Sequence, residues 1–202
     1  MGKYHFEIIQ QTPEWFEAKK LKMGASHAGV IMANGKGLDT YVKELLADYY
    51  SEGEKEIYTN ADIQRGIELE PLARELYSIK TGNDVIEVGG YEYDKYTFVS
   101  PDGLVGDDGG VEIKCHSDKV FVELLLHEVI DPKYYAQIQM NLYCTERKWW
   151  DYVGYNQNIK PYIYIKRIEP DSVAFEKIEK GLKTGKELLL KYKKKLDKWR
   201  KQ

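Results

Sequence analysis

Residues 100–115 read SPDGLVGDDGGVEIKC, two short apolar segments on either side of a DDGG turn. Turn residues between apolar runs predict two antiparallel strands joined as a hairpin. Because side chains alternate across a strand, Glu112 and Lys114 share one face. The opposite face carries the apolar residues of the same strand, Val111, Ile113 and Cys115. We therefore expect the apolar face to anchor this strand in the core and the charged face to border a site.

Asp102 precedes the first strand of the hairpin, ten residues before Glu112. The hairpin is expected to bring its carboxylate towards Glu112, Lys114 and the backbone carbonyl of Ile113. Two carboxylates and a carbonyl are hard oxygen ligands that suit Mg2+ or Mn2+. Such an ion lowers the pKa of a water and neutralises charge growing on a phosphate, while Lys114 orients that water or stabilises the transition state. The set predicts phosphodiester hydrolysis.

Two further polar side chains are candidates for the same site. Glu70 lies in the run RGIELEP at residues 65–71 and would add another acid. Gln137 lies in the run YYAQIQ at residues 134–139 and would position water or phosphate. The simpler interpretation of VEIKC alone is a strand with an ordinary surface ion pair and one solvated face. The combination with Asp102, Glu70 and the YAQIQ helix favours a catalytic site.

Helical periodicity and capping residues dominate the first 80 residues. They predict four helices, at about residues 12–20, from Ser26 onwards, at about 40–50, and from a cap at Asn60 to about Lys80. Pro71 is expected to kink the fourth helix and Gly82 to end it. The apolar stripe of this helix, taken as its buried face, comprises Ile63, Ile67, Leu72, Leu76 and Ile79.

The pattern then changes to short alternating segments between Asp84 and Cys115, which predict an antiparallel meander. Helices follow at about residues 119–127 and after Asp131, and then two aromatic strands, KWWDYVGYN and PYIYIKRI. A long amphipathic helix with a basic polar face begins near Ser172. This order predicts one α/β domain over residues 1–202 with a long C-terminal helix.

Composition narrows the class of protein. The 202 residues are 43% hydrophobic, enough for a sizeable core. There is no apolar run of about 18 residues and no signal-peptide pattern, so neither a membrane span nor secretion is expected. Cys115 and Cys144 are too few for a disulfide framework, a four-thiolate zinc site or a thiolate-held iron–sulfur cluster. We predict that both are reduced core residues of a cytoplasmic protein.

The charge is unevenly distributed along the chain. A net charge of −3 argues against a uniformly basic surface, yet residues 181–202 contain nine Lys or Arg and two acidic residues. Local basic surfaces beside acidic pockets are expected where a polyanion approaches a cation held by carboxylates. The basic C-terminal helix is interpreted as a packed helix with a solvated face, or alternatively as a contact for DNA, a partner or another subunit.

Several motifs occur in a fixed order: W-x3-K-x5-A-S at residues 15–26, Glu70, SPDGL at 100–104, VEIKC at 111–115 and YYAQIQ at 134–139. This ordered set resembles the lambda-type phage exonucleases, also called YqaJ-like viral recombinases, of the PD-(D/E)xK nuclease superfamily. The resemblance covers about residues 13–170. It implies a restriction-endonuclease-like core, in which helices flank a central mixed β-sheet.

The resemblance also implies an activity and its residues. Asp102, Glu112 and the Ile113 carbonyl would bind Mg2+, Lys114 would be the active-site lysine, and Glu70 and Gln137 would assist. Members of this family digest one strand of double-stranded DNA from its 5' end to mononucleotides. The 3' single-stranded overhangs that remain serve homologous recombination.

A basic pocket for the terminal 5' phosphate is a further implication of the resemblance. Lys19 stands where the family has an arginine, and Ser26 stands where it has a serine. The lysine ammonium is a point charge, whereas the arginine guanidinium binds a phosphate through two parallel hydrogen bonds. This change is therefore expected to weaken selection for a phosphorylated end. Lys119 follows the catalytic strand where the family has a basic residue. Ser100 and Tyr134, which lie inside the shared motifs, complete the DNA-binding candidates.

The family's assembly and partner are also implied. Its members form a ring-shaped trimer and cooperate with a single-strand annealing protein. Two alternatives stay open: an endonuclease or CRISPR-adaptation-type nuclease of the same superfamily, and a DNA-binding module without catalysis. CRISPR-adaptation nucleases usually carry four cysteines on an iron–sulfur cluster, and this chain has two.

Overall fold

The computed structural model describes residues 2–52 and 61–200. These residues form strands and helices in the following order: β1 (Lys3–His5), α1 (Pro13–Lys19), a 3-10 turn (Ala25–His27), α2 (Ala28–Ala33), α3 (Lys36–Tyr50), α4 (Ala61–Thr81), β2 (Val85–Ile86), β3 (Gly90–Asp94), β4 (Thr97–Val99), β5 (Gly103–Val105), β6 (Gly109–Cys115), α5 (Asp118–His127), α6 (Pro132–Thr145), β7 (Trp149–Tyr155), β8 (Ile163–Ile168) and α7 (Ser172–Trp199). The cap predicted at Asn60 lies outside the described residues.

A mixed five-stranded sheet in the order β2-β5-β6-β7-β8 forms the centre of the fold. Only the β6–β7 pair is parallel among these described strands; the other three pairs are antiparallel. The apolar residues of β6, Val111 and Ile113, pack with Ala73 and Tyr77 of α4 on one face. On the other face α5 and α6 cover the sheet. The predicted α/β class, with a mixed sheet between helices, is confirmed.

The predicted meander is wrong in one respect, because β4 and β5 belong to different sheets. Strands β1, β3 and β4 form a separate three-stranded sheet. The backbone of Met23 occupies the outer edge of β4: its N–H donates to the carbonyl of Tyr96 at 2.8 Å and its carbonyl accepts from Phe98 at 3.0 Å. The chain therefore leaves β4 through residues 100–102 and enters the larger sheet at β5. Strand β1 is only three residues long and was not predicted.

The predicted buried face of α4 is wrong for three of its residues, although Leu76 does pack towards the sheet. Ile67, Leu72 and Ile79 are exposed, Ile79 to 70%. The residues that pack towards the sheet are Leu69, Ala73, Leu76 and Tyr77. Tyr77 sets this orientation, because its buried hydroxyl donates to Asp151 of β7 at 2.7 Å. The helix continues through Pro71, and the side chain of Ile63 lies outside the described part of the chain.

Helix α7 packs along α2, α3 and α6. Ile178, Leu182 and Leu189 on its apolar side are buried, whereas Leu196 and Trp199 near its end are exposed. None of the helices in the described ranges combines the length and apolar composition that a membrane span requires. Cys115 and Cys144 are both free thiols; Cys144 is buried and Cys115 partly so.

Close contact between α7 and α2 depends on a glycine. A Cβ added at Gly181 would lie 2.0 Å from the backbone oxygen of Ile31. Because the backbone of α2 cannot shift without disturbing its packing, we expect Gly181→Ala to lower the free energy of unfolding by about 2–3 kcal/mol. Gly29→Ala on α2 is the control, since a Cβ there meets nothing within 4 Å. Urea unfolding of both variants checks this; equal stabilities would contradict the packing described here.

Candidate active site

The β5–β6 hairpin positions Asp102. Gly103, the first residue of β5, pairs with Val111 of β6, so no strand residue lies opposite Ile113 on that side. The carboxylate of Asp102 takes that position instead, and its Oδ2 accepts a hydrogen bond from the Ile113 N–H at 2.7 Å. A strand residue directs its N–H and C=O to the same side, so the Ile113 carbonyl also points to the edge where Asp102 lies.

Glu112 and Lys114 lie on the opposite face of β6 from Val111 and Ile113, as predicted. Glu112 is fully buried, and its Oε1 lies 2.6 Å from the Lys114 Nζ. The Lys114 ammonium is therefore the ion-pair partner of this buried oxygen. The second oxygen, Oε2, accepts a hydrogen bond from Asn141 Nδ2 at 3.3 Å.

Glu70 reaches the same cluster from α4, on the other side of the sheet. Arg74, one turn further along, donates to Glu70 Oε1 at 2.6 Å and to the backbone oxygen of Asp102 at 3.5 Å. A second Arg74 nitrogen pairs with Glu87 at 2.9 Å. Arg74 therefore joins α4 to the hairpin and holds Glu70 beside Asp102.

Electrostatics show an excess of negative charge in this cluster. Burial raises the pKa of Glu112 and of Glu70, and the neighbouring charge of Asp102 raises both further. Burial alone would lower the pKa of Lys114, but the carboxylates of Glu112 and Asp102 outweigh it and raise that pKa. Lys114 is therefore an ammonium. A divalent cation would relieve the repulsion among the three carboxylates.

The residues fit such a cation. Asp102, Glu112 and the Ile113 carbonyl supply hard oxygen donors, the class that Mg2+ and Mn2+ prefer. The buried carboxylate of Glu112, with the charge of Asp102 nearby, adds the negative charge that such a cation requires. Over residues 2–52 and 61–200, no group of three or more His, Cys, Asp or Glu side chains has metal-binding geometry. The predicted ligand set has only two such side chains, because its third ligand is a backbone carbonyl, so it is a different kind of group from those.

One face of α6 borders Glu112 and Lys114. The ring centre of Tyr134 lies 5.3 Å from the Lys114 Nζ, and Asn141 contacts Glu112. Gln137 follows Tyr134 by three positions and precedes Asn141 by four, which places it on the same helix face. The structure thus groups the predicted Tyr134 with the catalytic candidates, and helix periodicity places Gln137 on the same face.

The phosphate candidates Ser100 and Lys19 are joined through Trp15. Trp15 Nε1 donates to Ser100 Oγ at 3.1 Å, and the Lys19 Nζ lies 3.5 Å from the centre of the Trp15 ring. Burial lowers the pKa of Lys19 to about 8. Ser26 Oγ lies 3.2 Å from His27 Nδ1. Burial lowers the pKa of His27, the charge of Glu44 opposes this shift and the charge of Lys19 adds to it.

Lys119 stands apart from this group. Its side chain is 86% exposed, and its Nζ lies 4.0 Å from Glu123 on the same helix. No described contact joins it to the other candidates, and its role in DNA contact stays a prediction.

Sequence reasoning missed three side chains of the cluster. Asn141 lies seven positions after Tyr134, a helical spacing that would have indicated it. Arg74 lies four positions after Glu70, a spacing that predicts an ion pair on a helix. Tyr152 of β7 accepts or donates a 2.6 Å hydrogen bond with His116 Nε2, which no local pattern indicates. Burial lowers the pKa of His116 to about 4, so this imidazole is neutral.

Comparisons with known proteins agree with the geometry. Residues 14–148 match the model of the YqaJ-like viral recombinase domain. An alkaline exonuclease from Laribacter hongkongensis is 34% identical over 94% of this chain and 99% of its own, with a TM-score of 0.84. The same protein in complex with dAMP gives a TM-score of 0.83. No curated protein matches.

A more distant structure shares the fold. A phage-related exonuclease from Haemophilus somnus is 14% identical over 89% of this chain and 98% of its own, with a TM-score of 0.66. The predicted resemblance to this class of nuclease is confirmed. The chain is a nuclease, and it belongs to the family of the YqaJ-like viral recombinase domain.

Proposed function

We propose that this chain is a Mg2+-dependent 5'-to-3' exonuclease, a single nuclease domain that acts on the ends of double-stranded DNA. It digests one strand to 5'-mononucleotides and leaves 3' overhangs for phage-type homologous recombination. The observation that carries this proposal is the cluster of Asp102, Glu112 and Lys114, with Glu70 held beside it by Arg74. The 34% identity to an alkaline exonuclease supports the exonuclease activity.

Each residue of the cluster has a role in hydrolysis. A divalent cation held by Asp102, Glu112 and the Ile113 carbonyl would activate water and offset phosphate charge. Lys114 presents an ammonium that orients the attacking water or stabilises charge on the phosphate. The raised pKa of Glu70 makes it a better proton acceptor than an ordinary carboxylate. Gln137, on the same face of α6 as Tyr134, is suited to hold water or phosphate.

The distinction between exonuclease and endonuclease is tested with a plasmid. We expect Mg2+-dependent release of mononucleotides from the linearised plasmid and none from its closed circular form, because an exonuclease requires an end. Duplexes labelled at the 5' or the 3' end give the direction. Cleavage of the closed circle would favour the endonuclease alternative, and release of no nucleotides from either form would favour a non-catalytic DNA-binding module.

Lys19 is proposed to bind the terminal 5' phosphate with Ser26, next to Trp15 and Ser100. Charge-assisted hydrogen bonds contribute about 1.5–3 kcal/mol, so Lys19→Ala should slow digestion of phosphorylated ends at least about tenfold. Digestion of ends that carry a 5' hydroxyl should slow much less. The control is Lys20→Ala, since Lys20 pairs with Glu17 at 3.3 Å. Equal losses on both kinds of end would exclude Lys19 from the pocket.

The assembly follows from the family resemblance alone. A ring-shaped trimer, a single-strand annealing protein as partner and a cytoplasmic location are proposed on that ground. Mass photometry of the purified chain tests the first of these: a peak at three times the 23.5 kDa monomer mass is expected. A monomer at all concentrations would exclude the ring.

A further inference from the structure

We propose that Asn141 is a positioning residue for Glu112, fixing the orientation in which this carboxylate meets the divalent cation. The inference rests on the proposed function and deepens it. Asn141 is fully buried on α6 and donates through Nδ2 to Glu112 Oε2 at 3.3 Å. Lys114 contacts the other oxygen, Oε1, at 2.6 Å. The carboxylate is thus held between its own strand and a separate helix.

The surroundings of Asn141 make a purely structural role a poor explanation. Helix α6 is buried over most of its circumference, and the neighbours of Asn141 in sequence, Met140 and Leu142, belong to two different apolar clusters. Asn141 Oδ1 is buried and has no hydrogen-bond partner among the described residues. An aliphatic side chain of similar size would avoid that loss. The hydrogen bond to Glu112 is what asparagine adds at this position.

A second buried amide on the same helix provides a matched control. Gln139 is also fully buried, but it faces the segment before α7. Its Nε2 donates to the Glu169 carbonyl at 2.9 Å and its Oε1 accepts from the Asp171 N–H at 3.0 Å. Gln139 thus stabilises the fold through hydrogen bonds that do not involve Glu112. Loss of either amide disturbs α6, but only Asn141 contacts a proposed metal ligand.

Loss of the Asn141 hydrogen bond should therefore weaken the metal site selectively. Partners that orient metal ligands typically contribute about 10- to 100-fold in metal affinity or activity. We expect Asn141→Leu to weaken Mn2+ binding about tenfold and to raise the Mg2+ concentration for half-maximal nuclease rate similarly. The rise in melting temperature on adding Mn2+ should shrink in parallel. Gln139→Leu should lower the melting temperature without metal and leave Mn2+ affinity within about twofold.

The experiment compares Mn2+ binding by electron paramagnetic resonance with melting in EDTA for wild type and both variants. Mn2+ affinity within twofold of wild type in Asn141→Leu would overturn the inference, as would equal weakening in Gln139→Leu. If Asn141→Leu does not fold, Asn141→Ala carries the same expectation. A wild type that neither binds Mn2+ nor cleaves DNA would refute the proposed function itself. A wild type that does both, with no change in the Asn141 variant, would refute only this inference.

Discussion

Asp102→Asn should reduce mononucleotide release from a linear duplex about a thousandfold, a loss typical of removing one preorganised charge-stabilising group. The amide has the size of the carboxylate, and its oxygen can still accept from the Ile113 N–H, so the hairpin should keep its geometry. What it loses is the negative charge that a divalent cation requires. DNA affinity should change little, because the loss falls mainly on the transition state.

Asp107→Asn provides the matched control. Asp107 lies in the turn between β5 and β6 of the same hairpin and is exposed. Its replacement should leave both the cleavage rate and DNA binding at the wild-type level. Single-turnover digestion and a binding measurement in EDTA separate the two effects. An Asp102→Asn variant that keeps more than a tenth of the wild-type rate would remove Asp102 from the proposed metal ligands.

Lys114→Met should also reduce the cleavage rate, by roughly two to three orders of magnitude, since it removes the ammonium that we propose acts on the reacting phosphate. It should destabilise the protein as well, because Glu112 would stay buried without its ion-pair partner. Lys114→Arg should restore the charge but little of the rate, since a planar guanidinium is not a substitute for a compact ammonium.

The double variant Glu112→Gln/Lys114→Met tests whether the unpaired buried charge causes the loss of stability. It removes both charges of the buried pair, so its melting temperature in EDTA should exceed that of Lys114→Met alone. Its cleavage rate should stay as low as that of the single variant. A melting temperature no higher than that of Lys114→Met would contradict the unpaired charge of Glu112 as the cause of the destabilisation.

The charged face of β6 was predictable from sequence because strand periodicity and a turn motif are local. Alternation places Glu112 and Lys114 on one face, and the hairpin connection brings Asp102 to the neighbouring edge. The orientation of α4 was not predictable in this way. It depends on the buried hydroxyl of Tyr77 and its acceptor Asp151, a contact between residues far apart in sequence.

The same limit explains the division of the strands into two sheets. The edge of β4 is occupied by Met23, from a segment more than seventy residues earlier in the chain. Local patterns contain no information on such a pairing. Helical spacing places Asn141 on the same face as Tyr134, but the hydrogen bond to Glu112 joins two separate elements and is visible only in the structure.

Titration of Mn2+ into the protein tests the shared metal centre most directly, with free ion followed by electron paramagnetic resonance. Wild type, Asp102→Asn and Glu112→Gln are compared under identical conditions without DNA. We predict that wild type binds Mn2+ and that each substitution weakens the affinity at least about tenfold. Equal Mn2+ affinity in all three proteins would contradict a metal site built on Asp102 and Glu112.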